Sequence, residues 1–125
     1  MKVHGFVKDG VGHFKVRMTD YANVFTEATG EVLFPGTLNV KVDRTVPFKE
    51  DFRIRGADIG EPEQDLIFEK CQINGIAAYR IRPLNLLTGK GGHGDDHLEI
   101  GCTMYLREVL GLRNKSQVEI TFFRD

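Results

Sequence analysis

Thr37 and Asn39 stand two residues apart in LFPGTLNV, residues 33–40, directly after the Pro35-Gly36 turn signal. If the second half of this stretch is a strand, its side chains alternate between faces, and the hydroxyl and the amide share one. Both are hard oxygen donors. Mg²⁺ takes few protein ligands, keeps several waters and draws the rest of its shell from substrate phosphates. Two such oxygens at a strand's start suit that ion. A type II turn followed by an edge strand with its polar row in solvent accounts for the same residues equally well.

Three other stretches carry candidate chemistry. In DGVGHF, 9–14, Gly10 and Gly12 leave room for backbone N–H groups to approach a phosphate; a glycine-containing hairpin turn between two strands is the plainer reading. In GKGGHGDDHLEI, 89–100, His93, Asp95 and His97 are transition-metal ligand types, but their spacing fits no standard zinc pattern. A solvated glycine-rich loop, or a lid, competes with the metal reading. Glu99 alternates with Leu98 and Ile100 in a strand-like run, so it faces away from them, either into solvent or at a pocket rim. Finally, Cys102 to Glu108 opens a helical pattern. A helix start favours anions, and Arg107 adds a forked donor for phosphate. A capped surface helix with an adjacent Arg–Glu pair is the alternative.

These residues need elements to position them. KVHGFV (2–7), HFKVRM (13–18), TLNVKV (37–42), DFRIR (51–55), DLIFEKCQI (65–73), IAAYRIR (76–82), HLEI (97–100) and QVEITFF (117–123) alternate or run apolar over strand lengths. Asp9-Gly10, Pro35-Gly36, Asn74-Gly75 and Asn114-Lys115 mark turns, and Asn74-Gly75 is the strongest hairpin signal. Helical spacing governs 19–30, where Tyr21, Val24, Phe25 and Ala28 share a face, Thr19 or Asp20 offers a cap and Gly30 a stop. It also governs 103–112, through Leu106, Val109 and Leu110, with Thr103 as N-cap and Gly111 as the end. Six to eight short strands and two short helices predict a mainly β fold, a small closed or nearly closed barrel.

The bulk numbers narrow the function. The 125 residues suit one domain, 1–125, and 41% apolar content supplies one ordinary core. A net charge of −1 argues against nucleic acid or anionic membrane as partner. No apolar run approaches the ~20 residues that cross a bilayer, and MKVHGFVKDG lacks a secretory core, so the expected place is the cytoplasm. Cys71 and Cys102 sit in apolar contexts and are expected as buried free thiols.

The order of these motifs resembles the archaeal-type CTP-dependent riboflavin kinase family. The matching pieces are GxVxxGxG at 5–12 (Gly5, Val7, Gly10, Gly12), PGTLNVKVDR at 35–44 and EIxxxMxLRE at 99–108, with FPGTLNVKVDR the most specific and about 45–80 carrying no motif. The resemblance implies a six-stranded cradle-loop β-barrel with short helices. It implies transfer of the terminal phosphoryl group of CTP to the 5′-hydroxyl of riboflavin, giving FMN and CDP. It further implies that Thr37 and Asn39 ligate Mg²⁺. Gly10, Val11, Gly12, His13 and Phe14 would wrap the nucleotide, and Tyr105, Leu106, Arg107 and Glu108 would contact it. Glu99 would lie at the flavin and orient the hydroxyl or take its proton. Gly91 falls where the family carries a flavin-contacting threonine, and Tyr105 where it tends to carry a lysine. Riboflavin or FMN and CTP or CDP are then the partners of a monomer or small homo-oligomer. Two other readings remain open: a catalytically silent flavin- or nucleotide-binding barrel, and a barrel used only for protein contacts.

Overall fold

Asn74 and Gly75 both take positive φ, 47° and 83°, and join two long strands in the hairpin their sequence predicts. A computed structural model describes residues 1–10, 12–84 and 96–124, apart from the side chain of His13. Among these residues the strands are β1 (Lys2–Lys8), β2 (Leu38–Val42), β3 (Phe52–Ile54), β4 (Leu66–Ile73), β5 (Ile76–Pro83), β6 (His97–Gly101) and β7 (Gln117–Phe122). All pairings are antiparallel, in the order β4-β5-β6-β2-β1-β7. β7 then returns to the far half of β4, with Ile73 opposite Ile120 and Cys71 opposite Phe122. The ring is therefore a closed six-stranded barrel. β3 lies outside it, paired to the near half of β4. Closure leaves the ring no unpaired edge to protect.

Period-2 alternation fills the barrel. Val3, Val7, Leu38, Val40, Val42, Leu98, Ile100, Val118, Ile120 and Phe122 are buried in one cluster. Both predicted thiols belong to it: Cys71 and Cys102 are buried and free. A second cluster covers the outside of β4 and β5, where Phe14, Met18, Phe25, Ile54 and Ile59 meet Leu66, Phe68, Tyr79 and Ile81. With apolar layers on both faces, the start of β4 reads as a continuous apolar run rather than an alternation.

Helices supply that outer layer, and here the structure departs from the sequence reading. HFKVRM, expected as a strand, forms most of helix α1 (His13–Asp20). The alternation of Phe14, Val16 and Met18 suggests a strand, but Phe14, Met18, Tyr21 and Phe25 also repeat at helical spacing. Packing selects the second pattern: Phe14 and Met18 are buried while Val16 stays 64% exposed. The helix expected over 19–30 starts at Ala22 and ends at Thr29 as α2. Neither Thr19 nor Asp20 caps it; Tyr21 is the N-cap, and Thr19 donates its hydroxyl back to the Lys15 carbonyl at 2.8 Å. Gly30 does stop it in the left-handed region, at φ 77°. The helix expected over 103–112 shrinks to α3 (Leu106–Val109), with Tyr105 rather than Thr103 at its N-cap. The described residues thus hold three short α-helices, not two, and a 3₁₀ turn at Gly56–Ile59.

Candidate active site

β2 lies between β1 and β6, which removes the edge-strand reading of its polar row. Gly36, at φ 109°, makes the turn before it, a value that a side chain would strain. The turn is tied down on two sides: the Gly36 N–H points at the Met18 sulfur, 3.3 Å away, and the Phe34 N–H donates to the Cys102 carbonyl at 2.8 Å. Leu38, Val40 and Val42 then enter the barrel, so Thr37, Asn39 and Lys41 face outward.

Register brings β6 alongside. Asn39 is opposite Glu99, and Lys41 opposite His97. The Thr37 hydroxyl donates to the Glu99 carboxyl, Oγ1 to Oε1, at 3.2 Å. The Asn39 Oδ1 is 2.9 Å from the His97 Nε2. Lys41 pairs with Asp96, which holds that carboxyl below its usual range, chiefly through the hydrogen bond. Although it points away from the barrel core, Asn39 is only 8% exposed. It pairs with Lys8 of β1, and its cover is Gly10, two residues further on: a Cβ on Gly10 would lie 1.9 Å from Asn39 Nδ2.

Gly10 and Gly12 do not make a hairpin turn between strands. They lead from β1 into α1, with Gly12 at φ 73° as the helix N-cap. Arg107 closes the same corner, donating to the Lys8 carbonyl at 3.2 Å and to Asn114 Oδ1 at 3.0 Å. A pocket beside it is lined by Phe34, Gly36, Thr37, Met104, Tyr105 and Arg107. Phe34 and Tyr105 stack across its rim, with ring centroids 4.7 Å apart and planes 12° from parallel.

Burial raises the Glu99 carboxyl from 4.5 to about 7. The Thr37 hydrogen bond and the nearby charge of Arg82 pull the other way without overcoming it. A carboxyl poised there can hold or release a proton near neutral pH.

Gly10, Thr37, Asn39, Glu99, Tyr105 and Arg107 come to one side of the barrel. Phe14 and Leu106 are present too, but their side chains are buried in the cores, leaving their backbone as the accessible part. Glu108 is exposed on α3. Val11, Gly91, His93, Asp95 and the side chain of His13 lie outside what the structure describes, as does the glycine-rich 89–94. A four-residue α3 carries little of the dipole that an anion site at a helix start needs. Among the described residues no three His, Cys, Asp or Glu side chains gather as a metal set. His97, set beside His93 and Asp95 as a possible transition-metal ligand, meets Asn39 through Nε2. That contact is absent from the sequence reading, though His97 and Glu99 alternate in HLEI and so had to share a face.

Fold and site together define a small closed β-barrel with a polar patch and a pocket on its outer wall, beside a glycine-containing strand-to-helix turn. The family model labelled CTP-dep_RFKase, described as "Domain of unknown function DUF120", matches residues 7–122, and the chain belongs to this CTP-dependent riboflavin kinase family. Curated relatives named riboflavin kinase agree. One from Methanococcus maripaludis is 34% identical over 125 residues, covering 96% of this chain and 98% of the relative. One from Methanocella arvoryzae is 31% identical over 117 residues, covering 90% of this chain and 51% of its own. One from Thermofilum pendens is 31% identical over 134 residues, covering 96% and 58%. The chain thus spans little more than half the length of the last two. None of the helices described is long and apolar enough to cross a membrane.

Proposed function

We propose that the chain is a riboflavin kinase that moves the terminal phosphoryl group of CTP onto the 5′-hydroxyl of riboflavin, with Mg²⁺ as the metal, releasing FMN and CDP. The observation that carries this reading is the convergence of Thr37, Asn39, Glu99, Gly10 and Arg107 on one side of the barrel, within the family's matched span. The names of the relatives support riboflavin and FMN as substrate and product, and the family label supports CTP as donor.

Thr37 Oγ1 and Asn39 Oδ1 are two neutral oxygens on one face, which fits an ion that fills its remaining positions from water and phosphate. Bound there, Mg²⁺ would neutralise charge on the nucleotide phosphates. The chain's own groups do the rest. Backbone N–H groups around Gly10 and Gly12 and the Arg107 guanidinium hold the remaining phosphate charge. Tyr105, at the pocket, and Glu108, exposed on α3, contact the nucleotide. Glu99 orients the riboflavin hydroxyl and accepts its proton as the new P–O bond forms and the bond to the CDP oxygen breaks. Thr37 donates to Glu99, so that carboxyl is turned toward the row that would hold the metal.

The test is direct. The protein is incubated with riboflavin and Mg²⁺ and, separately, CTP, ATP, GTP or UTP, and FMN is sought by chromatography with fluorescence detection. FMN with CTP alone is expected. FMN with another nucleotide keeps the kinase and replaces the donor. No FMN with any, while riboflavin or a nucleotide raises the melting temperature, would make the chain a silent binding barrel.

A further inference from the structure

His97 and Glu99 share the outward face of β6, and each meets one side chain of the outward row on β2. Glu99 receives the Thr37 hydroxyl; His97 meets the Asn39 amide oxygen, Nε2 to Oδ1, at 2.9 Å. An amide oxygen only accepts, so Nε2 carries the proton in this pair. The other end of the amide is closely packed. Asn39 Nδ2 lies under Gly10, so close that a Cβ there would come within 1.9 Å of it. Packing against the Gly10 backbone confines the amide but does not tell its nitrogen from its oxygen; the His97 hydrogen bond makes that distinction. The oxygen has two lone pairs; His97 takes one and leaves the second.

We propose that His97 is a positioning residue, whose imidazole N–H fixes the Asn39 amide with its oxygen presented to a divalent cation. This rests on Asn39 being a metal ligand, as proposed above. A half-turn of an unrestrained amide would put an NH₂ donor where the cation needs an oxygen. Partners of this kind, one bond beyond the ligand, commonly set about 10- to 100-fold in metal affinity. The register of β2 on β6 does not hang on His97: the Lys41–Asp96 pair and the ladder from Leu38–Ile100 to Lys41–His97 hold it through other groups.

The experiment uses Mn²⁺ as probe, with CDP present, read by electron paramagnetic resonance on the wild type, His97→Ala, His97→Gln and Asn39→Ala. His97→Ala is expected to weaken Mn²⁺ about 10-fold or more with its melting temperature unchanged. His97→Gln, whose amide can still donate, is expected to recover most of the loss. Proton–nitrogen correlation spectra of the imidazole should place a proton on Nε2. If Asn39→Ala loses Mn²⁺ while His97→Ala keeps it, the positioning role is wrong and the ligand reading stands. The role is equally overturned by a His97→Gln no better than His97→Ala, or by an Nε2 without a proton. If Asn39→Ala binds Mn²⁺ like the wild type, the ligand reading beneath it fails.

Discussion

A Cβ built on Gly10 would fall 1.9 Å from the Nδ2 of Asn39 and 2.8 Å from its Cγ. The glycine is therefore required by space. Gly10→Ala must push aside either the turn or the amide, and a displacement near 1 Å in a positioning group costs on the order of 100-fold in rate. FMN formation by Gly10→Ala is expected to drop by about that factor, with an unchanged far-ultraviolet circular dichroism spectrum. Full activity would show that Asn39 need not stay where it is.

Thr37 and Asn39 give the sharpest functional test. Thr37→Ala and Asn39→Ala should each abolish turnover while keeping the barrel, because both face away from its core. Thr37→Ser keeps the hydroxyl and should keep most of the activity. Turnover retained in both alanine variants would sink the metal assignment.

Glu99 predicts a pH dependence of stability. Its carboxyl in the folded chain holds a proton up to about 7, against an ordinary value of 4.5. Between those limits the folded state binds more protons than the unfolded one, so stability falls as pH rises through this window. Urea midpoints should drop from about pH 5 to about pH 8, and Glu99→Gln should flatten part of the slope. Glu69, raised by its own burial, contributes a share that survives the substitution. Identical profiles for wild type and Glu99→Gln would contradict the burial argument.

Away from the site, Glu69 anchors a buried charge cluster. Arg80 Nη1 is 3.8 Å from its Oε1, Arg124 Nε 3.3 Å from its Oε2, and the Lys49 N–H donates to Oε1 at 3.2 Å. Arg80 also lies over the Phe48 ring, 4.7 Å from the centroid. Removing the carboxylate strands buried guanidinium charge, so Glu69→Ala is expected to cost ~3–5 kcal/mol in denaturant unfolding. A loss below about 1 kcal/mol would place this cluster with exposed ion pairs in worth.

The cysteines should be inert in the folded chain. Burial pushes the Cys71 thiol up to about 12, and both thiols lie in the barrel core. An aromatic disulfide reagent at mildly alkaline pH should label neither residue until denaturant is added. Rapid labelling of the native protein would mean that the barrel opens readily.

Much of this molecule was legible locally. Most strands follow from period-2 alternation, the start of β4 from its continuous apolar run, the β4–β5 hairpin from Asn74-Gly75, and the shared face of Thr37 and Asn39 from their spacing alone. Likeness to FPGTLNVKVDR-bearing proteins carried the family. What local pattern could not decide was which of two periods Phe14, Val16 and Met18 obey. The outer face of β4 and β5 decided it, because burying Phe14 and Met18 together against Phe68 and Tyr79 requires a helix and leaves Val16 in water. Nor could spacing foretell that β7 closes on β4, that Gly10 lies on Asn39, or that His97 meets its amide. Alternation along a strand fixes a side chain's face. Its neighbours on that face come from strands distant in sequence, and only the closed register of the barrel selects them.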